Sequence, residues 1–351
     1  MDFKVLKELE WISQQVGRCP DQVQGGGGNT SAKLDHRYMA VKASGYRLDQ
    51  VTERDGYVIV DYQKIRDYFS TVDTSRDIDY EKESTDFIRA CVLENGSPKN
   101  LRPSIETGFH SFMGKYVIHT HSVYGNILCC AREGREIAER IFSEGFAMLW
   151  VPYINPGFDL TIELNKAMDE YKAKNGCLPK IVFMENHGVI VSEEKAESCL
   201  ELNDRVNMAI KEYFAIEEEY PEIKVEKIGE NLYKSRTEYL SNFLRTNPIG
   251  NPIGPEFFRE VVLYPDQLVY LGDNISFEGK GKVNIDVGTG DIVYATNDKE
   301  AITIEETFTA YIYVVKKIKE LRLSIQTMSE ESIAFIKNME GEKYRKSLLK
   351  K

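Results

Sequence analysis

GGGGNTSAKLDHRYMAVKAS, residues 25–44, decides how the chain begins to fold. Four glycines are followed at once by the small polar cluster Asn29-Thr30-Ser31, and then by two short segments of strand character around the turn Asp35-His36-Arg37. A dinucleotide-binding glycine loop needs a strand before it, a helix after it and the spacing G-x-G-x-x-G, and here Thr30 stands where the last glycine belongs. A P-loop needs Gly-Lys-Ser/Thr after its glycines, which is absent. What precedes the run is helical: residues 2–17, DFKVLKELEWISQQVG, space their apolar residues for one helix face and stop before Pro20. Helix, glycine turn, then antiparallel strands is neither nucleotide fold. The turn, with the second small cluster Lys42-Ala43-Ser44-Gly45, reads either as a nest of amides and hydroxyls for a single phosphate or as a plain flexible loop.

Further along, KYVIHTHSV (115–123) reads as a strand, whose period of two puts His119 and His121 on one face. Two imidazoles one pleat apart form either a hydrogen-bonded pair or half of a metal chelate. A third histidine, His187 in FMENHGVIV (183–191), sits at an expected sharp turn between strands, where Gly188 permits tight backbone geometry. Three imidazoles with an open position describe a catalytic zinc site, with iron, manganese or cobalt as alternatives. Glu106, in LRPSIETGFHSF (101–112), lies near a helix start; it serves there as a capping acid or, beside a metal, as a base that moves a C–H or O–H proton. His110, one turn on, reads as structural or as support for the site.

The chain has 351 residues and is 42% hydrophobic, enough for a substantial core. Its 45 Lys+Arg against 56 Asp+Glu give a net charge of −11, which argues against nucleic acid or an anionic membrane surface as partner but allows a small anionic substrate. Six scattered cysteines without a CxxC fit a reduced setting. No apolar run approaches a membrane span, so the expected location is the cytoplasm. The polar run 217–227 is the best linker, dividing residues 1–220 from an extension, 221–351, in which DQLVYLGD (266–273) and KVNIDVGTGDIVYA (282–295) look strand-like and the end looks helical.

Taken in order, GGNTS, KASG, PSIE, HTHS and ENHGVIV resemble the class II aldolase and adducin head-domain family. YPDQLVYLGD and GEKYRKSLL add a likeness to the aldolase portion of the bifunctional rhamnulose-1-phosphate aldolase/alcohol dehydrogenase proteins. The resemblance implies an α/β fold of three αβα layers around a central, mainly antiparallel sheet, with an α+β extension typical of that subgroup. It implies that His119, His121 and His187 hold zinc, that Glu106 is the acid/base, and that Gly28, Asn29, Ser44, Gly45 and Ser104 hold a substrate phosphate. The implied reaction is cleavage of a ketose 1-phosphate, such as rhamnulose or fuculose phosphate, to dihydroxyacetone phosphate and an aldehyde through a metal-stabilised enediolate, in a homotetramer. Decarboxylation, epimerisation or dehydration of a sugar or sugar acid phosphate on the same scaffold is the alternative, and a nonenzymatic adducin-like scaffold a third. Two departures stand out: Ile105 replaces a second serine before the glutamate, and the segment after HTHS where fuculose-phosphate aldolases carry a proton-donating tyrosine has none, leaving Tyr124 and Tyr153 as substitutes.

Overall fold

The computed structural model describes residues 3–93, 97–98, 101–143, 145–250 and 252–349; Asp2, at the start of the first expected helix, lies outside them. The central sheet has seven strands: β1 (Asn29–Lys33), β2 (Tyr38–Lys42), β3 (Tyr57–Asp61), β4 (Tyr116–Thr120), β5 (Met148–Val151), β6 (Ile181–Met184) and β7 (Gly188–Glu193). They run in the order β3-β2-β1-β4-β7-β6-β5. Every neighbouring pair is antiparallel except β5 with β6.

Both faces of this sheet are buried, and the side-chain period of two sorts residues between two cores. Ala40, Ile59, Ile118, Phe183 and Val191 point to one. Met39, Val58, Val117, Val182 and Ile190 point to the other. The first core is covered by α1 (Phe3–Gly17), α5 (Val123–Cys129), α6 (Gly134–Ile141) and α8 (Ala196–Tyr213). The second is covered by α2 (Tyr62–Thr71), α3 (Tyr80–Ala90), α4 (Thr107–Phe112) and α7 (Phe158–Asn175). This is the expected three-layer arrangement. The helix before the glycines is α1, which buries Val5, Leu6, Leu9, Ile12 and Val16 at helical spacing.

The rest of the chain forms a second, five-stranded sheet from β8 (Val225–Gly229), β9 (Leu232–Ser235), β10 (Ile275–Ser276), β11 (Val283–Asp286) and β12 (Asp291–Ala295), in the order β10-β11-β12-β9-β8. Its helices are α9 (Glu238–Thr246), α10 (Pro255–Glu260), α11 (Pro265–Tyr270), α12 (Asp298–Glu320), α13 (Glu330–Asn338) and α14 (Glu340–Leu349). The long α12 is buried nearly all round, through Ile304, Phe308, Tyr311, Ile312 and Val315, and packs on α5, so its side chains join the first core. Among the described residues, no helix is long and apolar enough to cross a membrane.

Residues 266–273 correct the strand-like reading. A short apolar run does not distinguish a strand from a buried helix by pattern. Here Pro265, with no N–H to lose, opens the first turn of α11, and Gln267 Oε1 accepts the Leu263 N–H at 3.0 Å. Six consecutive buried residues, Pro265 to Tyr270, make up the helix.

Candidate metal centre

The ladder around β4 sets the site. β1 pairs with β4 so that Asn29 lies opposite His119, and β7 places Ile190 opposite His119 from the other side. Pleat alternation turns His119 toward α4, where its ring meets Phe109 edge-on at 6.1 Å. His121 lies one pleat further, just past the end of β4. His187 occupies the turn between β6 and β7, which needs a positive φ of 50° at Asn186 and a glycine at 188, where a Cβ would come within 2.3 Å of the Thr120 carbonyl oxygen. The Asn186 amide donates to the carbonyls of Leu263 (2.7 Å) and Gln326 (2.8 Å), so the extension pins this turn. Glu106 immediately precedes α4, yet its side chain makes no capping bond.

Instead it faces the histidines. One ligand atom from each of Glu106, His119, His121 and His187 falls within 4.8 Å of all the others. His121 Nε2 is 3.1 Å from His119 Nε2, and Glu106 Oε1 lies 3.2 Å from His119 Nε2 and 3.5 Å from His187 Nε2. On the far side of two rings, His119 Nδ1 meets the Val189 carbonyl at 3.0 Å and His121 Nδ1 meets Asp266 Oδ2 at 2.7 Å. A carbonyl and a carboxylate only accept, so both rings carry Nδ1–H and turn the Nε2 lone pair inward. Burial pushes His187 down to about 4, which keeps it a neutral donor. Burial by itself would raise the Glu106 carboxyl; the adjoining His119 and His187 more than offset it and hold Glu106 well below the usual carboxylate range. Burial likewise disfavours charge on His119, but Glu106 carries it upward, so the carboxylate calls for a positive partner at this point. Three inward nitrogen donors and one carboxylate, all buried, fit a divalent cation.

Beside this cluster is a cavity of about 40 Å³. Gly28, Ser44, Gly45 and Ser104 line it, together with Glu106, His121 and His187. Asn29 is elsewhere: buried in β1, its Nδ2 donates to Glu106 Oε2 at 3.2 Å. Ser104 Oγ accepts the Glu106 N–H at 3.3 Å. Tyr124 and Tyr153 do not line the cavity, and Tyr124 turns its ring to Tyr313 at 6.2 Å. His110 is structural, its Nδ1 2.8 Å from Ser31 Oγ and its basicity pushed down to about 3 by burial.

The glycine run is a tied turn rather than a flexible loop. The Gly25 N–H donates to Glu306 Oε2 at 2.7 Å, and the same carboxylate holds Arg47 through both guanidinium ends at 2.8 and 2.9 Å. Gly28 has φ of +67°. At Gly27 a Cβ would fall 2.5 Å from Asp266 Oδ2.

Two residues of the site, Asp266 and Glu306, escaped the sequence reading, and a third, Lys42, entered it only as a member of the Lys42–Gly45 cluster with no role of its own. Lys42, 2% exposed, lines the cavity and donates from Nζ to the carbonyls of Tyr46 (2.6 Å) and Gly26 (3.2 Å); a lysine beside an expected anion nest was the signal for it. Asp266 and Glu306 come from the extension, and nothing in their local sequence connects them to histidines or glycines more than 100 residues away.

The family model described as the class II aldolase and adducin N-terminal domain matches residues 18–214. A curated relative, the uncharacterized oxidoreductase YuxG of Bacillus subtilis (strain 168), is 32% identical over 227 residues, covering 58% of this chain; the chain spans only 30% of that protein's length. Among solved structures, the N-terminal class II aldolase domain of a conserved protein from Thermoplasma acidophilum is 21% identical with a TM-score of 0.49, covering 59% of this chain and 92% of that one. A sugar-phosphate aldolase from Thermotoga maritima is 15% identical with a TM-score of 0.43, covering 61% of this chain and 94% of that one.

Proposed function

Because the chain belongs to the class II aldolase and adducin N-terminal domain family, we propose that it is a zinc-dependent aldolase that cleaves a ketose 1-phosphate, of the rhamnulose or fuculose phosphate kind, to dihydroxyacetone phosphate and an aldehyde. The observation that carries this reading is the convergence of three histidine Nε2 atoms and the Glu106 carboxylate on one buried point beside the glycine turn. His119, His121 and His187 hold the cation, and three nitrogen donors with an open position favour zinc. Such an ion supplies the Lewis acidity that a carbonyl needs when the bond two carbons away breaks.

The protein's own groups do the rest. Glu106, ionised and hydrogen-bonded by Asn29, takes a proton from the reacting carbon or hydroxyl and returns it. Ser44, Ser104 and the amides around Gly28 and Gly45 hold the phosphate, and Lys42 adds a buried positive charge to an otherwise acidic molecule. The subunits form a four-fold ring, and the protein works in the cytoplasm. The greater length and the oxidoreductase name of the Bacillus subtilis relative accord with kinship to the aldolase portion of bifunctional proteins.

One observation favours a second reading. Among the described residues no tyrosine lines the cavity, so a phenolic acid for the leaving group is not supplied from within the chain. Decarboxylation of a sugar acid phosphate forms the enediolate by loss of CO2 and leaves no alkoxide to protonate, so within the alternative of decarboxylation, epimerisation or dehydration it is the member that needs the cation but not that acid. A panel of ketose 1-phosphates, assayed for dihydroxyacetone phosphate with and without a chelator, decides between them. Chelator-sensitive release from at least one member is expected; turnover without any aldehyde product selects the second reading.

A further inference from the structure

The His121–Asp266 pair joins residues 145 positions apart and connects the candidate ligands to the C-terminal part of the chain. Asp266 is 2% exposed. It reaches His121 because α11 starts at Pro265 directly before it, and α11 is held between α12 and α13 with Leu268, Val269 and Leu271 buried. We propose that Asp266 is a positioning residue of the metal centre: the carboxylate that α11 inserts between the glycine turn and His121 fixes that ring's tautomer and orientation, making the extension part of the site. This rests on the reading of the three histidines as metal ligands.

Two observations support it independently of one another. The contact is made to Nδ1, which commits Nε2 to the cluster; a carboxylate bonded to Nε2 would have withdrawn the ring from it. Gly27 is the only residue type that admits the pair, since a Cβ there would lie 2.5 Å from Asp266 Oδ2 and 3.0 Å from His121 Nδ1. Gly27 is therefore shaped to this carboxylate and its histidine.

The test is zinc and cobalt(II) affinity of the full chain, measured by competition with a chromophoric chelator for wild type, Asp266→Asn and Asp266→Glu. The metal-free melting temperature and the cobalt visible spectrum are recorded beside it. Asp266→Asn is expected to bind about 10- to 100-fold more weakly and to shift the cobalt bands, with its metal-free melting temperature close to wild type. Asp266→Glu is expected to fall between the two. Affinity within twofold of wild type and an unchanged cobalt spectrum in Asp266→Asn would overturn the role of Asp266 while leaving the ligand reading intact. A wild type that takes up no metal overturns both. Should Asp266→Asn not fold, hydrogen exchange of wild type carries the test: zinc is expected to slow the amides of α11, and unchanged exchange there refutes the coupling.

Discussion

Glu106 shows how far a single residue is legible. Its position before a helix made a cap the simplest reading, and only the company of three histidines argued otherwise; its carboxylate in fact leaves the helix uncapped and turns to His119 and His187. Replacing it with Gln is expected to lower product formation by about 10²- to 10⁴-fold while bound metal per chain, measured by elemental analysis, stays the same. Asn29 was less legible. A polar residue straight after four glycines suggests an anion, but the pairing of β1 with β4 sets it opposite His119 and directs its amide to Glu106. Asn29→Ala should therefore depress kcat more than it raises KM; a raised KM at unchanged kcat would return Asn29 to the phosphate. Away from the site, Glu81 accepts the Phe158 N–H at 2.7 Å, and burial pushes its carboxyl up to about 7. The folded chain thus holds this proton more tightly than the unfolded one, whose carboxyl titrates near 4.5. The resulting stability is present below about pH 4.5 and is lost as pH rises toward 7. Glu81→Gln, which cannot ionise, is expected to gain in melting temperature relative to wild type between pH 5 and pH 8; a constant difference would contradict this.

At the scale of elements, the sheet was legible through short runs rich in β-branched and aromatic residues bounded by turns, such as Tyr57–Asp61, since strands buried on both faces show no polar alternation. The β6–β7 turn was legible too, through Asn186-His187-Gly188. Gly188→Ala would push a methyl group against the Thr120 carbonyl. The expected result is a loss of stability of about 1–3 kcal/mol in chemical denaturation, with metal affinity lost because His187 moves with the turn; an unperturbed metal content would show that the turn does not position the ligand. α11 was not legible as a helix. Its apolar run fits a strand equally well, and the proline at its start, the one local signal, was outweighed by the pattern.

At the scale of the whole molecule, residues from both parts of the chain meet at one centre. Residues 1–220 supply the histidines and Glu106, while the extension supplies Glu306 to Gly25, Asp266 to His121, and the carbonyls of Leu263 and Gln326 to Asn186. Such contacts depend on tertiary packing alone, which is why sequence left the role of the extension open. We propose residues 1–220 as a catalytic head and 221–351 as an extension that shares its core through α5 and α12. Urea unfolding followed by tryptophan fluorescence, from Trp11 and Trp150 in the head, and by far-UV circular dichroism is expected to give one coincident transition. Two separated transitions would mean that the parts fold apart. That His119, His121 and His187 hold a catalytic metal beside Glu106 is open to direct observation by anomalous X-ray diffraction from zinc-loaded crystals at the zinc edge. One strong peak is expected at about 2.0–2.1 Å from all three Nε2 atoms; no peak there, with zinc absent or bound elsewhere on the chain, would refute the ligand assignment.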